Sequence, residues 1–386
     1  MNENRMANPQ QKRQYDNRID LLKGIAIFGV ACIHFGGSFV GDSVVLWTAP
    51  FYVGLFLNQF FSFSVALFIF LSGWLLEYQY TSRPFHVSTF YRRRLIRILI
   101  PYTVVVGAYF VLLPESEIIK AVTPSNFLIK FFYYGVQGTQ YFISLILQLY
   151  IVYPVLRWIK NKISSTGIRW LSFVPMLVLI AIHGTLGFMT YSNKLDYYTW
   201  CRPFSLFWMV FFYGGMVAYS SRQSMKQPVS MYLFLGAVFS FLIGMFILIM
   251  SRLLNPAIVG MDFGKSMIDY AYSRPEIMFY NIIWIIIIAF VLRLQWSFRA
   301  ALLEQWGKNS YTIYLWHILF IYYIAWNQPV VLETCRNFPE VIVFVCIFAC
   351  MVISAASRCI DYAQAFLLIQ WKSLRARLVP SKVEGS

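Results

Sequence analysis

Charge is scarce in this sequence. Asp, Glu, Lys and Arg make up 12% of its 386 residues, where a soluble domain carries about a quarter. No internal repeat, low-complexity tract or soluble domain lies between its apolar runs. HExxH, GxSxG and Walker sequences are missing, so zinc-protease, serine-hydrolase and NTPase readings have no support. The six cysteines form no CxxC pair and no metal-ligand spacing, so no metal site is expected and most read as small buried hydrophobes. A cleavable signal peptide is not expected either, because the first apolar run follows a polar stretch and lacks a small-residue cleavage site.

What is abundant is apolar surface, 59% of the residues. A water-soluble fold has no need of so much, whereas lipid-facing helices do. Gly and Pro are scattered through the apolar runs, as membrane helices tolerate. The net charge of +16 suggests a nucleic-acid partner, but the cations sit in short clusters between apolar runs, as orientation signals do. No basic, aromatic-studded soluble domain is present, so nucleic acid is not an expected partner.

Ten runs approach bilayer-spanning length, at about 21–39, 57–78, 95–113, 141–158, 168–188, 203–219, 231–250, 277–292, 310–326 and 341–360. With the N-terminus inside, the inner segments together hold 24 Lys and Arg and the outer ones 8. The expectation is therefore an all-α, polytopic bundle of about ten transmembrane helices with both termini cytoplasmic. It divides into a cytoplasmic tail at 1–20, a membrane domain at 21–361 and a second cytoplasmic tail at 362–386. Cys201 and Cys335 then lie at outer ends of spans, where oxidation is possible, though two such cysteines can easily be far apart.

An ionisable side chain deep in a membrane helix is a candidate for function, and His34 is one. It lies eleven residues after Lys23 in RIDLLKGIAIFGVACIHF, on the same helix face and about 16 Å away. Asp20 lies near that face at the inner boundary. A neutral imidazole can take a proton from a hydroxyl; a histidine hydrogen-bonded to a neighbouring helix, with Lys23 as an inner anchor, fits equally well. In FYRRRLIRILIPY, Arg94 and Arg97 share a face, with Arg93 to one side. Guanidinium pairs grip phosphates in a bidentate fork, although a cluster that only orients the chain has the same appearance. His317, in SYTIYLWHILFI, reads as a second proton carrier, a group orienting substrate, or a structural histidine. Ser144 and Gln148 are four apart, on one face of a helix that also carries Tyr150, and can hydrogen-bond across helices or to a hydroxylated ligand.

Together these segments resemble the acyltransferase-3 family of bacterial membrane acyltransferases. RIDLLKGIAIFGVACIHF is similar to that family's first helix, with Lys23 and His34 at its basic and histidine positions. LFIFLSGWLL resembles the second-helix motif ending in Ser-Gly, here Ser72 and Gly73. RLIR from Arg94 to Arg97 resembles the Arg-x-x-Arg entering the third helix. YFISLILQLYIVYPVL is similar to the fourth-helix signature and NSYTIYLWH to the late helix ending in histidine. No single motif is specific; the five occur in the family's order. Ile146 and Leu147 precede Gln148 where many members carry acidic residues, so a carboxylate from this helix is not expected in the mechanism. The resemblance implies an O-acyltransferase of the inner membrane that moves acetyl from acetyl-CoA, a co-substrate rather than a bound cofactor, to a hydroxyl of a surface carbohydrate or its lipid-linked precursor. On that reading His34 is the catalytic base, Lys23, Arg93, Arg94 and Arg97 engage acyl-CoA, and Asp20, Ser72, Ser144, Gln148, Tyr150 and His317 are supporting candidates. The rival reading is a polysaccharide or glycolipid exporter, which should show broken helices and inverted repeats; neither is evident.

Overall fold

A backbone in apolar surroundings must satisfy its own peptide groups, and the α-helix does so without a partner. Every regular element in the computed structural model is accordingly helical among the residues it describes, which are 16–40, 47–81, 83–168, 171, 173–221, 229–253, 271–293 and 298–378. The expected tail up to residue 15, most of the connection expected at 253–276, and 379–386 lie outside the described residues.

The main helices in chain order are α1 (Asn17–Val40), α2 (Ala49–Phe60), α3 (Ser64–Tyr80), α4 (Val87–Leu112), α5 (Tyr141–Ser164), α6 (Val174–Tyr191) and α7 (Ser205–Ser221). They continue with α8 (Val229–Leu253), α9 (Pro275–Val291), α10 (Ala301–Lys308), α11 (Ser310–Ile321), α12 (Pro329–Asn337) and α13 (Val341–Leu378). Among the described residues six helices are long and apolar enough to cross a membrane, within Asn17–Val40, Ala49–Tyr80, Val87–Leu112, Gly138–Ser164, Val174–Tyr191 and Tyr197–Ser221. They coincide with the first six expected spans. Shorter apolar helices at Val238–Met250, Pro275–Val291, Ser310–Ile321 and Val341–Ser357 fall on the other four.

One boundary differs from expectation. The second apolar run begins at Ala49 rather than near 57, because Asn58 and Gln59 look like an edge but lie inside a continuous helical path. Asn58 donates to the carbonyl of Ile33 on α1 (3.1 Å) and accepts from Gln59 (2.8 Å), so neither amide needs water. A single 3-10 turn, Phe61–Phe63, joins α2 to α3. At the other end α13 continues to Leu378, into the segment expected as a tail.

α3 and α7 pack back to back at the centre. A Cβ on Gly73 would sit 2.0 Å from the Phe212 carbonyl oxygen, and one on Gly215 would sit 2.0 Å from that of Phe70. Small residues at such crossings let membrane helices approach closely, which is the structural use of the Gly in the Ser72–Gly73 pair. Below this crossing a buried polar network joins α3, α5 and α7. Glu77 pairs with Lys160 (2.5 Å) and accepts from the Tyr153 hydroxyl (3.3 Å); Lys160 donates to Ser220 (2.9 Å). Arg157 donates to the Tyr153 hydroxyl (3.1 Å) and to the Tyr80 carbonyl (2.8 Å). The bundle's outer surface carries exposed apolar side chains such as Val111, Trp158, Leu177, Ile247 and Phe344, the surface a lipid-facing bundle presents.

Candidate functional site

α1 passes through the bundle with Lys23 near its start and His34 three turns further on, about 16 Å along the axis. Each residue lines a different cavity of about 330 Å³.

The cavity at Lys23 is cationic. Arg94, Arg97 and Lys308 line it with Lys23, beside the hydroxyls of Ser72, Tyr150, Ser310 and Tyr311. Lys23 is held by the buried Asp20 carboxylate at 2.8 Å. Arg94 is half-buried and preorganised, donating to Gln79 Oε1 (2.5 Å) with its guanidinium 5.5 Å from the Tyr150 ring centroid. Arg97 is more exposed. Lys308 ends α10, which lies directly on α1: a Cβ on Gly307 would fall 1.8 Å from the Asp20 carbonyl oxygen. At the other end of α10, outside the apolar spans, Arg299 grips Glu304 with two hydrogen bonds (2.6 and 2.8 Å) and holds its carboxyl below the ordinary carboxylate range.

The cavity at His34 is lined by tyrosines: Tyr141, Tyr197, Tyr198, Tyr272 and Tyr314, with Arg202 among them. Phe68, Phe142 and Tyr314 line both cavities, so these three side chains form the wall between them. Phe142 lies 6.0 Å from Phe68 and 5.3 Å from Tyr314, centroid to centroid. The Tyr314 hydroxyl is tied to the Thr139 carbonyl (2.6 Å).

Behind His34, on α11, His317 lies 5.2 Å away between ring centroids. Its Nδ1 faces the Tyr314 carbonyl at 2.6 Å. A carbonyl only accepts, so Nδ1 carries the proton and Nε2 a lone pair. That Nε2 is buried with no hydrogen-bond partner among the described residues. His317 lines neither cavity, so it touches His34 rather than a ligand in the cavity.

The structure thus gathers Lys23, Arg94, Arg97, Ser72 and Tyr150 in one cavity and places His34, backed by His317, in the next. It does not bring Arg93 in; that residue is exposed and lines neither cavity. Ser144 and Gln148 line neither as well. Ser144 is buried, and Gln148 pins the start of α7 by donating to Pro203 O (2.8 Å) and accepting from Ser205 N (3.1 Å). His183, buried on α6, bonds the Phe207 carbonyl through Nδ1 (2.6 Å). All six cysteines are free thiols, Cys201 beside Thr190 Oγ1 (3.0 Å).

Lys308 and Arg202 line the two cavities although neither is among the residues the sequence singles out. A signal existed for both. Lys308 immediately precedes the NSYTIYLWH motif, and Arg202 follows the aromatic run YYTWC.

A family model described as an acyltransferase domain, that of the acyltransferase-3 family, matches residues 16–357. The chain belongs to the acyltransferase-3 family. The match runs from the start of α1 through α11 into α13, so every residue of both cavities lies within the acyltransferase-3 domain. With its apolar helices, membership makes this a multi-pass membrane acyltransferase. No curated protein and no solved structure gives a significant match to the chain.

Proposed function

We propose that the protein is an O-acetyltransferase that carries acetyl from cytoplasmic acetyl-CoA to a hydroxyl of a carbohydrate or glycolipid of the cell envelope. The observation that carries this reading is the pair of cavities sharing the Phe68–Phe142–Tyr314 wall, one with four cations and the other with His34. CoA has phosphates at one end and a thioester at the tip of a long flexible arm. Phosphates held at Lys23, Arg94, Arg97 and Lys308 leave that arm pointing past the wall towards His34. In the reaction a His34 ring nitrogen takes the proton of the acceptor hydroxyl as its oxygen attacks the thioester carbonyl carbon. The tetrahedral adduct collapses, the C–S bond breaks, and the departing CoA thiolate takes the proton back from the imidazolium. His317 acts through His34 as a positioning residue, its ring packed 5.2 Å from the His34 ring between centroids. The proposed frame is about ten spans in the inner membrane with both termini cytoplasmic, which puts the cationic cavity on the side where CoA is found.

Purified protein incubated with acetyl-labelled acetyl-CoA and cell-envelope glycans should release free CoA and label the glycan. An intact thioester after prolonged incubation with cell-envelope glycans, alongside glycan transport in vesicles, would instead mark an exporter. Arg94→Ala should weaken CoA binding about ten- to more than a hundredfold, since a hydrogen bond to a charged group contributes about 1.5–3 kcal/mol. The more exposed Arg97→Ala should cost less, because solvent screens its charge. Arg94→Lys should restore only part, a point charge being a poor substitute for the fork. Titration of CoA into each variant reads this directly, and unchanged affinity in all three would reduce the cluster to a topology signal.

Orientation has its own test. A cysteine introduced at 83–94 should resist an impermeant thiol reagent in intact cells, and one introduced near Asn193 should react. The opposite labelling would overturn both the topology and the route for CoA.

A further inference from the structure

Arg202 has no part in the proton transfer, yet it lines the cavity that holds His34. It follows the single helical turn Tyr197–Trp200, and Pro203 follows it in turn. Its guanidinium lies 4.6 Å from the Tyr141 ring centroid and 5.4 Å from that of Tyr198. Among the described residues the ion pairs all belong to other cations. Aromatic faces orient a guanidinium and attract it weakly, but they do not neutralise its charge. A half-buried cation among aromatic rings at the outer end of the spans favours an anionic partner more than it would in open water. The planar fork suits a carboxylate or a phosphate, either of which it can bind through two parallel hydrogen bonds. The tyrosine walls add flat apolar faces with polar edges, suited to a ring bearing hydroxyls.

We infer that the His34 cavity selects an acceptor carrying an anionic group, a sugar carboxylate or a sugar phosphate ester, and that Arg202 binds that group while a hydroxyl of the same molecule meets His34. This rests on the reading of the His34 cavity as the acceptor site. It adds a requirement that the acyl transfer chemistry does not impose.

The test is calorimetric titration of the full-length protein in detergent with three probes: glucose, glucuronate and glucose 1-phosphate. At least one anion should bind about tenfold or more tightly than glucose, and the tighter of the two identifies a carboxylate or a phosphate site. Arg202→Gln should bring all three to the same affinity, and Arg202→Lys should keep part of the preference. Equal behaviour of the three sugars in the unaltered protein, including binding by none, overturns the inference. So does a preference that survives Arg202→Gln, or a Gln variant that loses acetyl transfer while keeping its sugar affinities, which would make Arg202 a stabiliser of the tetrahedral adduct. The acetyl-CoA reading fails separately. An anion preference without CoA release would sink that reading and leave the Arg202 site in place, whereas CoA turnover without an anion preference removes the Arg202 site alone.

Discussion

His34→Ala should lower acetyl transfer by about 10²- to 10⁴-fold, the usual contribution of a positioned general base, while CoA binding stays near that of the unaltered protein. The two effects separate because His34 lines the tyrosine-lined cavity and none of the four cations does. Alanine suits a helix interior, and His34 makes no hydrogen bond to another helix among those described, so insertion and folding should survive. His317→Ala should give a smaller fall, in kcat and not in the KM for acetyl-CoA, because His317 reaches the reaction only through His34. His317→Gln should recover part of that loss by keeping a planar polar group packed against His34. A His34→Ala variant that transfers acetyl at a near-normal rate removes this histidine as the base, and family membership does not protect the assignment.

Glu77→Ala should destabilise the protein by about 3–5 kcal/mol, the cost of leaving one charge of a buried pair without its partner. The stranded charge is Lys160, itself buried, with the Ser220 hydroxyl alone among the described residues left to accept from it. Replacing both together, Glu77→Leu with Lys160→Met, should recover most of the loss, since apolar side chains of similar volume often match or exceed a buried ion pair. Thermal unfolding in detergent of the single and double variants separates a paired charge from a simple packing role. A double variant no more stable than the single one contradicts this account of the α3–α5–α7 junction.

These two residues differ in how far the sequence betrays them. His34 and Lys23 are legible because both lie on one helix, where 3.6 residues per turn decides which side chains share a face. The positions of the apolar helices are legible for a similar reason: length and hydropathy are local properties of the chain. Glu77 is not legible in this way. Its partner Lys160 is 83 residues away, and a lone acid at the end of an apolar run looks like a boundary until the second helix is in place. The Asn58–Gln59 pair hid the true start of α2 by the same mechanism, since the carbonyl that satisfies it belongs to α1. Arg202 and Lys308 were visible as charges, but which cavity each enters depends on how α7 and α10 pack against their neighbours. The two-cavity arrangement is a property of packing alone. Phe68, Phe142 and Tyr314 come from three helices, and nothing local in any of them marks a shared wall.

On the proposed mechanism an acetyl group crosses that wall, from CoA on one side to a hydroxyl on the other. Proteoliposomes with the protein in one known orientation test it most directly, with acetyl-labelled acetyl-CoA supplied only on the side of Lys23 and Arg94 and cell-envelope glycan only on the other. The account predicts free CoA on the supplied side and acetyl label on the opposite side, as product or as acetate, with both signals lost in His34→Ala. Label that stays on the supplied side while CoA is released, or that crosses equally well in His34→Ala, would contradict it.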